Sequence, residues 1–158
     1  MRKIVTIGVY GFDAESFLQR LRAAKVGLLL DIRRRRGVRG AEYAWANSLR
    51  LQAALEQAGI GYEHHLELAP TVEMLHLQHA EDDRSGVGKR SRRVLDGEYV
   101  RRYTGEILDR TDLTPVMSGS GVTALLCVER DPEACHRSLI AQRLAERHYL
   151  RIEHLLPD

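Results

Sequence analysis

Apolar and polar positions divide the chain into short buried runs and longer segments of helical spacing. Ile4-Val5-Thr6-Ile7-Gly8-Val9 is mostly β-branched and apolar, as a strand covered on both faces requires. Val26 to Ile32, Ile60 to Glu63, Val122 to Val128 and Leu150 to Leu155 are further strand candidates, the run at 122–128 being the clearest. Asp13 precedes an apolar stripe of Phe17, Leu18 and Leu21, the pattern of a capped amphipathic helix. Trp45, Leu49, Leu51 and Leu55 predict a helix through Ala58, with Gly59 as C-cap. Other helices are predicted over Thr71–Ala80, over Glu98–Leu108, and from Asp131-Pro132 to Arg147, since Pro suits the first helical position. Asp82 to Gly97 has no apolar period and carries five basic residues, so it is expected as a mobile basic loop.

Strands alternating with helices predict a single-domain α/β fold over residues 1–158. The expected form is a mostly parallel sheet of about five strands with helices on both faces, a Rossmann-like or flavodoxin-like three-layer sandwich. Such sheets bind ligands beyond the carboxyl ends of their strands. Gly8 to Gly11, Asp31 to Gly40, His64 to Pro70 and Glu129 to Arg137 are therefore expected to share one ligand-facing edge.

Composition narrows the class. The 158 residues are 44% apolar and 29% charged with only 4 Pro, which excludes collagen-like, low-complexity and disordered chains. Met1-Arg2-Lys3 resembles the start of a signal peptide, but the apolar run to Val9 is short and is followed closely by Asp13 and Glu15. No segment approaches the roughly 18 to 20 apolar residues that span a bilayer, so no membrane partner is expected. The two cysteines, Cys127 and Cys135, are too few for a disulfide framework, which places the protein in a reducing cytoplasm. Their separation of eight residues matches no common zinc spacing.

A formal charge of +2 conceals local clusters. Arg33, Arg34, Arg35, Arg36 and Arg39 follow the second strand with no acid among them, and Arg84, Lys89, Arg90, Arg92 and Arg93 crowd the later loop. Arginine presents a planar donor fork suited to phosphate oxygens, although solvated charge runs are common and explain residues 84–93 as well. The strongest local signal is Cys127-Val-Glu129-Arg130-Asp131-Pro132-Glu133-Ala-Cys135-His136-Arg137. With Asp131 as N-cap, Cys135 to Arg137 occupy first turns, where free N–H groups and the dipole favour an anion and lower a thiol pKa. Cys127 reads as a small packing residue inside its strand.

Several motifs fail. The Cys-x5-Arg loop of cysteine phosphatases would need Arg at Glu133 or Ala141. Gly86-Val-Gly88-Lys89 has Asp83 where a P-loop needs Gly and Arg90 where it needs Ser or Thr. No Gly-x-Gly-x-x-Gly follows the first strand, so no dinucleotide cofactor is expected. His64 and His65 point to opposite faces of a strand, and Glu73, His76 and His79 drift around a helix, so no metal site is predicted from the histidines.

Taken together the motifs resemble the bacterial and archaeal domain-of-unknown-function family 488. The likeness runs in order through Thr6-Ile7-Gly8, Asp31-Ile32-Arg33 and Gly59-Ile60-Gly61-Tyr62. It ends on Cys127-Val-Glu129-Arg130-Asp131-Pro132 and Cys135-His136-Arg137, its most specific part. The resemblance implies a single α/β domain and brings no established activity. Val9-Tyr10 stands where the family typically has His-Ser, and Leu68-Ala69-Pro70 where it often has Leu-Gly-Gly. A catalytic role carried by that His would here either be lost or fall to Tyr10 or His136.

Three functions follow. In the first, the carboxyl edge around Gly8 and Tyr10 binds a phosphate-bearing small molecule or nucleic acid. Arg33, Arg130 and Arg137 contact the anion, while Asp31 and Glu129 orient them or move a proton. In the second, Cys135 is a nucleophile with His136 as partner, although adjacent helical residues point about 100° apart. In the third, the basic loop docks a non-catalytic interaction module on a partner.

Overall fold

The computed structural model describes residues 2–158. The apolar runs become strands β1 (Arg2–Ile7), β2 (Val26–Asp31), β3 (Gly61–His64), β4 (Val122–Leu126) and β5 (Leu150–Leu155). Every pairing is parallel, in the order β3-β2-β4-β1-β5. The late strand β4 is thus inserted between β2 and β1, and it runs fully buried from Thr123 onward. The α-helices among the described residues are α1 (Ala14–Ala23), α2 (Ser48–Gln57), α3 (Val72–Ser85), α4 (Gly97–Glu106) and α5 (His136–Arg147).

Period-two alternation divides the core between the two faces of the sheet. Val5, Ile7, Leu29, Ala124 and Leu126 pack with Phe17 and Leu21 of α1 and Leu51 and Leu55 of α2. Ile4, Leu30, Leu125 and Cys127 pack with Met74 of α3, Tyr99 and Tyr103 of α4, and Ile140 and Leu144 of α5. The architecture is the expected three-layer α/β sandwich. No helix among the described residues is long and apolar enough to cross a membrane.

Local chemistry explains the element ends. Asp13 caps α1 by accepting from the Ser16 N–H at 2.8 Å, and Ser16 Oγ accepts from the Asp13 N–H at 3.0 Å. Trp45 lies in a 3-10 turn, Ala41–Ala46, ahead of α2, and still packs on Phe17. Asn47 does not cap α2, because its Oδ1 accepts from the Val38 N–H at 2.7 Å and pins the arginine-rich loop.

Two expectations need correction. Helix α3 does not stop at Ala80 but continues through Ser85 to a left-handed Gly86, at φ 74°. From its midpoint onward it carries buried polar groups, with Gln78 donating to Asp82 Oδ1 at 2.9 Å, which an apolar pattern does not register. Asp131-Pro132 opens only a 3-10 turn, Pro132–Ala134. Cys135 is then extended (φ −140°, ψ 147°) and is itself the N-cap of α5, its Sγ accepting from the Arg137 N–H at 3.5 Å.

Candidate functional site

The site begins where β4 ends. Cys127 and Glu129 share a parity along the strand exit, and Cys127 faces the α3, α4 and α5 layer. The extended Cys135 breaks the helical register assumed for Cys135 and His136. Both side chains therefore turn inward, with Cys135 Sγ and His136 Nδ1 3.7 Å apart. Cys127 Sγ lies 3.6 Å from the same Nδ1.

The orientation of His136 follows from one bond. Its Nε2 is 2.9 Å from the Ile32 carbonyl, which can only accept, so Nε2 carries a proton in either charge state, and in the neutral ring Nδ1 presents its lone pair to the thiols. Tyr103 packs edge-on against the imidazole and is itself fixed by donating to the Leu68 carbonyl at 2.7 Å. Burial alone raises the Cys135 thiol pKa, but the neighbouring Cys127 and the His136 charge bring it well below the ordinary value. For Cys127, burial and then Cys135 push the pKa well up. Burial works against a charged His136, yet Cys135 and the Ile32 carbonyl raise its pKa.

Glu129 is held by a residue from the basic segment. Arg92 donates to Glu129 Oε1 at 2.8 Å and to Asp82 Oδ2 at 2.6 Å, and also bonds the Ala134 carbonyl. Glu129 Oε2 accepts from Cys127 Sγ at 3.3 Å. The sequence pattern places Arg92 and Asp82 in a solvated basic loop and gives Gln78 no role. The available signal was the Gln78/Asp82 pair, two polar residues at i, i+4 that share a helix face.

Arg33, Arg130 and Arg137, assigned to an anion from the sequence, take other positions. Arg33 is 2% exposed and clamps Asp31 with Nε and Nη2, each at 2.8 Å, while Nη1 donates to the Ala46 carbonyl. Tyr62 completes this unit by donating to Asp31 Oδ2 at 2.6 Å. Arg137, also fully buried, donates to the Glu129 and Arg130 carbonyls and to Thr6 Oγ1. Arg130 is exposed and pairs with its neighbour Asp131. Gly8 permits this convergence: a Cβ there would sit 2.0 Å from the Glu129 carbonyl oxygen.

A cavity of about 80 Å³ lies over the cluster, lined by Cys127, Glu129, Cys135, His136, Arg35 and Lys89 among others. It adjoins an open groove of about 740 Å³ lined by Tyr10, Arg35, Arg39, Lys89 and Arg90. The Arg90 guanidinium stands 5.2 Å and 5.1 Å from the Tyr10 and Tyr43 ring centroids and also pairs with Glu42. His64 and His65 go to different partners, the Arg33 carbonyl and the Glu63 and Glu67 carboxylates. Among the described residues, Cys127, Cys135 and His136 form a cluster of potential metal ligands whose ligand atoms lie within 4.8 Å of one another.

The fold and its cysteine–histidine cavity define a parallel α/β sandwich with polar machinery at the carboxyl edge. The profile of the family described as Domain of unknown function DUF488 matches residues 13–144, and the chain belongs to that family. No curated protein and no solved structure matches the chain.

Proposed function

We propose that the carboxyl edge of the sheet binds a phosphate-bearing ligand, with the groove taking the phosphate and Cys135, His136 and Glu129 meeting the reacting end. The observation that carries this reading is that Arg35, Arg39 and Lys89 line the groove, exposed and without an acidic partner among the described residues. Arg35 and Lys89 line the cavity as well, so the groove leads to the cluster. Cations free of partners in a concave surface raise the local concentration of anionic ligands. Tyr10 offers an apolar wall beside them. Arg33 lines the cavity and is held by Asp31, while Arg137 and Gly8 hold the backbone at Glu129, and Arg130 lines neither the cavity nor the groove. Binding of a labelled single-stranded oligonucleotide and of a nucleoside diphosphate, titrated against salt, tests the reading. Affinity should fall steeply as salt rises. Absence of binding at low salt, or binding indifferent to salt, rejects it.

A second reading, thiol catalysis at Cys135, rests on the lone pair of His136 Nδ1 facing Sγ at 3.7 Å, where it can accept the thiol proton. Iodoacetamide should label Cys135 in metal-free protein faster than it labels free cysteine, and His136→Asn should remove the difference. Equal rates in the unaltered protein exclude this chemistry.

A further inference from the structure

We propose that Cys127, Cys135 and His136 form a binding site for a divalent, thiophilic metal ion of the zinc class, with its fourth position open to the ligand cavity. The three groups come from two places, the exit of β4 and the N-cap and first residue of α5. They are brought together by the extended conformation of Cys135. Zinc bonds of about 2.3 Å to sulfur and 2.0 to 2.1 Å to nitrogen place tetrahedral S and N ligands about 3.6 Å apart. The two sulfurs lie 3.6 Å and 3.7 Å from Nδ1, the nitrogen that has no other partner.

The surroundings fit the ion in three further ways. A metal-bound histidine usually donates its other N–H to a carbonyl or carboxylate, and His136 Nε2 does so to Ile32. Thiolate sulfur is stabilised by N–H donors, and the Arg137 N–H points at Cys135 Sγ. The buried ionic groups around the cluster are Asp31, Asp82 and Glu129 against Arg33, Arg92 and Arg137, which cancel. Two thiolates and a divalent cation add no net charge to that shell, so the loaded site is neutral and the burial penalty is small. Three protein ligands beside a cavity form the open pattern of a site that also takes water or a ligand atom.

The metal site is independent of the basic groove, and it is an alternative to a free Cys135 nucleophile. The full chain, stripped with chelator, is titrated with Co(II) and then Zn(II). One Co(II) per chain should give sulfur-to-cobalt charge-transfer absorption and tetrahedral visible bands, both displaced by Zn(II). Cys127→Ser, Cys135→Ser and His136→Asn should each weaken Zn(II) binding by more than roughly 100-fold, beyond what loss of an outer-shell partner costs. Because these variants can misfold, the unaltered protein supplies a second readout. Cys127 and Cys135 are its only cysteines, and Zn(II) should protect both from alkylation. Absence of charge-transfer absorption, or labelling unchanged by Zn(II), overturns the site whether or not the groove binds phosphate.

Discussion

Arg92 and Glu129 form a buried ion pair at 2.8 Å across 37 positions of sequence, with Asp82 on the other side of the same guanidinium. The arginine comes from the segment whose composition most resembles a solvated charge run, yet it is 8% exposed. Its partners explain its place. Asp82 projects from the last turns of α3 and Glu129 from the end of β4, so Arg92 draws residues 86–93 down over the cavity.

Arg92→Met leaves two carboxylates buried without a cation and should cost about 3 to 5 kcal/mol in urea unfolding. Adding Asp82→Asn should recover part of that loss, so the double variant is less destabilised than the sum of the singles. A loss under about 0.5 kcal/mol for Arg92→Met, the range of ordinary surface substitutions, would show that Arg92 is solvated in solution.

The groove cations behave in the opposite way. Arg35→Ala and Lys89→Ala remove exposed, unpaired charges and should change stability by no more than about 0.5 kcal/mol. Each should weaken oligonucleotide binding across sequences and reduce the salt slope by about 1. Unchanged slopes in both variants would move the anion elsewhere.

Gly8→Ala tests the close approach of β1 to the β4 exit. The new methyl group meets the Glu129 carbonyl oxygen, a backbone atom that cannot rotate away, so the strand ends must separate. A loss of about 1 to 3 kcal/mol is expected, the usual range for overpacking. Gly27→Ala, in β2 with open space around the added carbon, is the control and should be near neutral in the same thermal melt.

His65 gives a pH signature away from the cavity. Burial lowers its pKa, but hydrogen bonds to Glu63 and Glu67 outweigh this and raise it above 6.5. The folded state therefore holds its proton more tightly than the unfolded chain. The resulting stability is complete below about pH 6.5 and is lost as pH rises through the folded value. Since both glutamates are half exposed, the effect should not exceed about 1 kcal/mol. His65→Gln should make this slope shallower in a plot of unfolding free energy against pH, leaving the part that the raised pKa of His136 contributes with the same sign. A slope unchanged in the variant assigns it to other groups.

The sequence by itself determined the layers. Apolar runs of β-branched residues are a local signal, because burial on both faces demands it at every position of an inner strand, and each of the five strands overlaps its predicted run, β1 beginning two residues before Ile4 and β3 ending one residue after Glu63. The Asp13 cap follows from an equally local rule. The tertiary structure alone decided which polar groups meet. Whether Arg33 faces a ligand or Asp31, whether Arg92 is solvated or buried, and whether Cys127 only packs or faces His136 depend on partners far away in sequence. The helical spacing that set Cys135 and His136 apart held only if α5 began before Cys135. The extended cap reversed that geometry, because a single non-helical residue is enough to turn two adjacent side chains toward the same cavity.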